Sequence, residues 1–308
     1  MPVYSKKQII GFITQLLHPT SLVDTSYFPV SQTFWDRLVK FGSGHLVLPA
    51  IYGALKRKKL EHLPPTELLS FLEKIKDLNK KRNIDILEQI NFLSNLFKSN
   101  KIEHVFLKGA ALLISKTDYA MSERMIGDID ILVSERNLID AQQILIQEGF
   151  SKVSFKEYEF SKTLVLNDKH LDELIHPNFI AAVELHRYLL DTNNSLISPS
   201  DVLKNKVKSK KNHWIPSNYH IWQHSILNWQ HNDKGMALNY LAFRSVLDVL
   251  HTEPKNFMTI LKTSPKSMRY FYSLLSLHYN GYETYNRIKK LFYRWQLESK
   301  FFFNAYRF

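Results

Sequence analysis

Gly127-Asp128-Ile129-Asp130-Ile131-Leu132-Val133 alternates acidic with apolar residues and then becomes wholly apolar. On a β-strand, residues i and i+2 share a face. Asp128 and Asp130 therefore project side by side at the start of a strand, while Ile129 and Ile131 point into a packed face. Two carboxylates held this close repel each other, and a divalent cation relieves the repulsion. Their hard oxygen ligands suit Mg²⁺ or Mn²⁺. Short acidic-x-acidic triplets are common; roughly two or three are expected by chance in a chain of this composition. Glu157-Tyr158-Glu159 is another and reads as solvated. The context of Asp128 and Asp130 differs, because a charged pair at the mouth of a buried strand is costly without a partner.

Reading outward, two neighbouring segments carry chemistry. Ile180-Ala181-Ala182-Val183-Glu184-Leu185-His186 is an apolar strand interrupted by one acid. A carboxylate in such a strand needs a cation, either a metal or a core Arg or Lys. Upstream, Ile102-Glu103-His104-Val105-Phe106-Leu107 reads as a strand, followed by Lys108-Gly109 and a small-residue helix start at Ala110-Ala111. Glycine lets the backbone approach a phosphate closely, and the helix start favours an anion. An ordinary strand-to-helix turn has the same appearance. Residues 137–148 read as a helix ended by Gly149, and 151–182 as mixed strand and loop.

Helical periodicity surrounds this core. It covers 5–17, two stretches within 31–60 broken at Gly42-Ser43-Gly44, and 66–99, either as one long helix or as a pair. In 66–99 the apolar residues, Phe71, Leu78 and Ile84 among them, form the core face, and Lys and Asn lie on the wet face. Thr66, after Leu63-Pro64-Pro65, is placed to cap that helix. A lysine-rich stretch follows at Lys204, Lys206, Lys208, Lys210 and Lys211, read as a solvated loop or one strand face tracking a polyanion. Residues 218–308 read as helical. Trp214, Trp222 and Trp229 have helical core spacing. His220, His224, His231 and Asp233 suggest structural or substrate-lining roles before a transition-metal site. The tail Phe301-Phe302-Phe303-Asn304-Ala305-Tyr306-Arg307-Phe308 needs cover from the body or from a partner subunit. The expected division is a helical region at 1–100, a catalytic core at 101–200 and a helical domain at 201–308.

The 308-residue chain holds 44% hydrophobic and 23% charged residues, ordinary for a globular protein. Its 20 Phe, 15 Tyr and 5 Trp supply apolar surface that argues against disorder. It contains no cysteine, which excludes disulfides and thiol chemistry. A formal charge of +12 attracts polyanions such as nucleotide phosphates, nucleic acid or an acidic membrane, without choosing among them. No apolar run is long enough to span a bilayer, and residues 6–15 make a poor signal peptide. A cytoplasmic protein is expected.

The combination of Phe106-Leu107-Lys108-Gly109-Ala110-Ala111, Arg124 followed by Gly127 to Val133, and Val183-Glu184-Leu185-His186 resembles the DNA polymerase β-type nucleotidyltransferase superfamily, and within it the bacterial uncharacterised nucleotidyltransferases. A weaker likeness continues through His224 and His231 to Arg244 and Asp248. The glycine turn of the superfamily is commonly Gly-Ser, whereas here it is Lys-Gly-Ala. The resemblance implies an α/β (α+β) fold, with a small mixed sheet flanked by N- and C-terminal helical regions and the active site between the core and the C-terminal helices. It implies two-metal transfer of a nucleoside monophosphate from an NTP, ATP by expectation, to a hydroxyl or amine, with release of pyrophosphate. Asp128, Asp130 and Glu184 would hold Mg²⁺ or Mn²⁺, and Glu184 would also take the acceptor's proton. Lys108, Gly109 and Gly127 would line the triphosphate, and Arg124 would offset charge near the acids. His186 has two readings, as a ligand-orienting residue and as a structural histidine. The acceptor class stays open among a small molecule, a protein side chain and an RNA end. The alternative is an inactive basic module that binds nucleotide or RNA with the same fold, and triphosphate hydrolysis is a third reading.

Overall fold

The computed structural model describes residues 6–18, 22–25, 31–115, 117–152, 169–191, 196–232 and 243–252. Glu157 and Glu159, Asp233, the side chain of His231 and the tail at 301–308 lie outside the described residues.

The sheet that organises the site is small and mixed. Strands β1 (His104–Phe106), β2 (Ile129–Val133), β3 (Ser151–Lys152), β4 (Leu174–Ile175) and β5 (Val183–His186) lie in the order β1-β2-β5-β4-β3. The β2 and β5 strands are parallel, and the other pairings are antiparallel. The expected α/β architecture is therefore present: a small mixed sheet with helices before and after it.

Alternation along β2 and β5 gives the sheet two different faces. Ile129, Ile131, Val133, Val183 and Leu185 join Phe106 in an apolar core. The helices that cover this face are α4 (Thr66–Ser99), α5 (Lys108–Ser115) and α6 (Leu138–Gln147). α6 stops where expected, with Gly149 at φ +95°, a conformation that glycine adopts freely. On the other face Val105, Leu107 and Leu132 pack on Leu189, Leu190, Val202, Leu203 and Leu227. The last three belong to α7 (Pro199–Lys204) and α8 (Asn218–Leu227). Helices α1 (Lys6–Leu17), α2 (Gln32–Gly44) and α3 (Leu48–Arg57) build a separate core around Phe12, Phe34, Trp35 and Ile51. This core also receives Phe243 and Leu247 of α9 (Phe243–Thr252) and Tyr119 from a π-helical turn, Tyr119–Glu123.

Several local expectations are corrected. α4 is one helix of 34 residues, and Thr66 is its first helical residue. Pro65 occupies the cap position, and no side chain caps this end. Asn79 and Asn83 are buried rather than on the wet face. Asn79 donates to the carbonyls of Ser122 and Arg124, and Asn83 to those of Ala120, Met121 and Arg124. An amide in the core is tolerable when it satisfies backbone carbonyls in this way. Phe71, Leu78 and Ile84, read as core, are instead exposed. Gln89 of α4 exchanges two hydrogen bonds with the backbone of Ala181 and so fixes the entry to β5. The lysine-rich stretch contains the hairpin of β6 (Val207–Lys208) and β7 (Trp214–Ile215), and the ammonium groups of Lys206 and Lys208 lie 5.2 and 4.9 Å from the Trp214 ring. Trp214 is therefore on a strand, while Trp222 is fully buried in α8. Among the described residues, no helix is long and apolar enough to cross a membrane.

Candidate active site

β2 and β5 run parallel in a register that sets Asp130 opposite Glu184. The two acids, 54 positions apart in sequence by residue number, therefore share a face of adjacent strands. His186 lies two residues beyond Glu184 on the same face. Its Nε2 is 2.8 Å from Asp130 Oδ1 and 3.2 Å from Glu184 Oε2. Asp130 and His186 are both 1% exposed, and Glu184 is 18% exposed at its side chain. Each of the three offers a ligand atom, all within 4.8 Å of one another. The Lys108 ammonium also pairs with Asp130 Oδ1. Lys108 takes φ +44°, a left-handed conformation uncommon for a lysine. Strain of that kind is often retained where a site requires it.

These contacts set the protonation states. Burial opposes the Asp130 anion, but Lys108 and His186 outweigh it and hold the carboxyl well below its usual range. Glu184 is lowered by the His186 hydrogen bond against the effect of burial. Burial opposes the charged forms of Lys108 and His186 too, yet Asp130 raises the first, and Asp130 with Glu184 raises the second. Asp128, just before β2, moves the other way: burial and then the charge of Asp130 push its carboxyl up. The ligand atoms that lie together are those of Asp130, Glu184 and His186, and Asp128 lines a cleft beside Asp130.

The rest of the predicted set is placed as follows. Gly109 packs under Arg124, and a Cβ there would sit 2.9 Å from Arg124 Nη1. Close packing thus requires glycine at this position whether or not a phosphate visits. Gly127 is exposed, and an added Cβ would meet nothing. Its carbonyl accepts from Arg82 Nη2 at 3.2 Å. Arg124 lines the same cleft as Asp128 and Asp130. Its guanidinium is committed to Asp248 of α9, with Nε–Oδ1 at 3.1 Å and Nη2–Oδ2 at 2.8 Å. Burial opposes this cation, and Asp248 overcomes it and raises the Arg124 pKa. The Tyr119 hydroxyl donates to Asp248 Oδ1 at 2.8 Å.

This cleft, of about 190 Å³, opens beside Asp128 and Asp130. Lys108, Gly109, Asp128 and Asp130 line one side, and His224, Asn228, Arg244 and Asp248 come from the C-terminal helical side. The Nε2 of His224 faces the Leu189 carbonyl at 3.2 Å. Burial, then the charge of Lys108, lowers its pKa to about 3, so it lines the cleft as a neutral ring. His220 pairs with Asp201 instead, at 3.0 Å. In the sequence Arg244 and Asp248 stand only at the end of a weak likeness, whereas in the structure both line the cleft. Their spacing of four residues, which puts both on one helix face, was the available signal.

A search of the curated proteins found no match. The family described as uncharacterised nucleotidyltransferase matches residues 31–249, which include every site residue named above, from Arg82 to Asp248. With well over half the chain matched and the expected mixed sheet in place, this protein belongs to the uncharacterised nucleotidyltransferase family.

Proposed function

We propose that the protein transfers a nucleoside monophosphate from an NTP, with ATP as the first candidate, to a hydroxyl or amine acceptor, in a reaction dependent on Mg²⁺ or Mn²⁺. The observation that carries this reading is the in-register pair of Asp130 and Glu184, with Asp130 lining a cleft together with Asp128, Lys108 and Gly109. The donor set fits a divalent cation: Asp130, Glu184 and His186 present ligand atoms within 4.8 Å of one another, and Asp128 lies beside them. Carboxylate oxygens suit both Mg²⁺ and Mn²⁺, and the imidazole nitrogen shifts the preference toward Mn²⁺. A cation held there would neutralise phosphate charge and acidify an acceptor hydroxyl.

The chain's own groups do the rest. Lys108 exchanges Asp130 for a phosphate oxygen, and the closely packed Gly109 turn leaves room for the triphosphate. Glu184, kept ionised by His186, receives the acceptor's proton. The acceptor oxygen bonds to the α-phosphorus, the bond from that phosphorus to the β-phosphate oxygen breaks, and pyrophosphate leaves with the electron pair. On this reading the chain divides into a helical region at 1–100, a catalytic core at 101–200 and a C-terminal helical domain at 201–308. The protein acts in the cytoplasm, on an acceptor that is a small molecule, a protein side chain or an RNA end.

A second reading has its own support. Lys108 and His186 already neutralise Asp130, and a site satisfied by protein cations can bind nucleotide without metal, as an inactive module would. One experiment addresses both readings. The purified chain is incubated with α-labelled NTPs, Mg²⁺ or Mn²⁺ and a cell extract, and the label is partitioned into small-molecule, protease-sensitive and RNase-sensitive fractions. Label transfer with pyrophosphate release, lost in Asp128→Asn, supports the enzyme. Nucleotide binding that is indifferent to metal and to Asp128→Asn, with no transfer, supports the binding module. Orthophosphate release points to hydrolysis.

A further inference from the structure

The cations lining the cleft are not equivalent. Among the described residues Lys108 is paired with Asp130, Arg124 with Asp248, and Lys169 with Asp191 at 3.1 Å. Arg244 lines the same cleft and, among the described residues, has no ion pair or hydrogen bond. It lies one helical turn from Asp248, whose carboxylate already accepts three hydrogen bonds from other residues. Oδ1 accepts from Tyr119 and Arg124 Nε, and Oδ2 accepts from Arg124 Nη2. The wall therefore carries two guanidiniums against one carboxylate. The nearby positive charge of Arg124, followed by burial, lowers the pKa of Arg244. Repulsion of this kind is relieved by an anion between or beside the two groups, and a planar guanidinium with free N–H groups matches phosphate oxygens.

We propose that Arg244 is the recognition residue of an anion subsite on the α9 wall of the cleft, facing the carboxylates of the sheet, and that it takes the β- and γ-phosphates of a nucleoside triphosphate, the part that leaves as pyrophosphate. The identification of the ligand rests on the nucleotidyl-transfer reading; the anion subsite itself does not. Asp248 and Tyr119 act as positioning residues, because they hold Arg124 and leave the neighbouring guanidinium available. Asp128 and Asp130 line the sheet side of the same cleft, so the most negative part of a substrate is directed to the α9 wall and its α-phosphate toward the sheet.

The test measures binding of inorganic pyrophosphate to the full chain by titration calorimetry with EDTA present, so that metal plays no part. Wild type should bind, Arg244→Gln should weaken binding by about tenfold or more, and Arg244→Lys should recover part of the loss, since charge remains but the planar fork is gone. Asp130→Asn should bind at least as well as wild type, having lost a repelling charge. Thermal unfolding of each variant checks folding. Unchanged binding in Arg244→Gln, or no binding by wild type, overturns the subsite. The two ideas fail separately. Pyrophosphate binding that depends on Arg244, without any label transfer, keeps the subsite and removes the transferase. Label transfer whose KM for NTP is the same in Arg244→Gln keeps the transferase and removes the subsite.

Discussion

The two faces of the central sheet are made by alternate residues of the same strands, yet they treat charge in opposite ways. On one face His104 of β1 lies between Phe97 and Phe106, with its Nδ1 bonded to the Ile102 carbonyl at 2.9 Å. Burial lowers its pKa to about 4. On the other face His186 of β5 lies against Asp130 and Glu184, and its pKa is raised although it is no less buried. Burial alone therefore does not define the site. The difference lies in whether a buried ring meets apolar side chains or carboxylates. One face stabilises the fold, and the other holds charges that repay their desolvation only in one another's company.

The largest expected effect separates the faces by function. Asp130→Asn should reduce label transfer by about a thousandfold or more while circular dichroism still reports the native fold; retained transfer would remove Asp130 from the chemistry. The mirror experiment is Ile131→Ala, one residue along β2 and fully buried in the apolar core. It should cost about 2–5 kcal/mol in urea unfolding while leaving turnover per folded molecule near wild type. If both substitutions damage both properties, the two faces are not separable.

Acid should act through the apolar face. His104 has a folded pKa of about 4, below its unfolded value of 6.5, so between these limits the unfolded chain binds the extra proton and stability falls as pH falls. The loss is on the order of 3 kcal/mol by pH 4. It should disappear from the difference between pH 7 and pH 4 urea midpoints in His104→Gln.

A smaller effect tests how tightly the glycine turn is packed. Gly109→Ala places a methyl 2.9 Å from a guanidinium that Asp248 holds at two points, and should cost about 1–3 kcal/mol. A variant as stable as wild type would show that Arg124 yields easily. The smallest effect lies above pH 6.5. The folded pKa of His186 is raised, so its contribution is complete below pH 6.5 and fades as pH rises through the folded value. Measured with EDTA, the urea midpoint of wild type should fall over that range relative to His186→Gln.

The strand carrying Asp130 was legible because a period of two places acids and isoleucines on opposite faces, and Glu184 was legible because an acid interrupts an apolar run. Both signals are local. The engagement of Arg124 by Asp248 joins positions on different elements and leaves no trace in spacing. Asn79 and Asn83 looked solvated because composition cannot show that a π-helical turn presents its carbonyls to them. A hydroxyl at Thr66 fits the cap pattern, whereas the helix starts at Thr66 itself, after Pro65. His186 carried both readings until the register of β2 and β5 brought it within reach of two carboxylates.

Phe243 and Leu247 anchor α9 among the helices that open the chain, not on the sheet. The gap between the carboxylates and Arg244 is consequently governed by how residues near Phe12, Trp35 and Ile51 pack, far from any reacting atom. A substitution that tilts this remote bundle alters the width of the jaw while every acid stays in place. Such a variant would keep its metal affinity and lose its grip on the substrate.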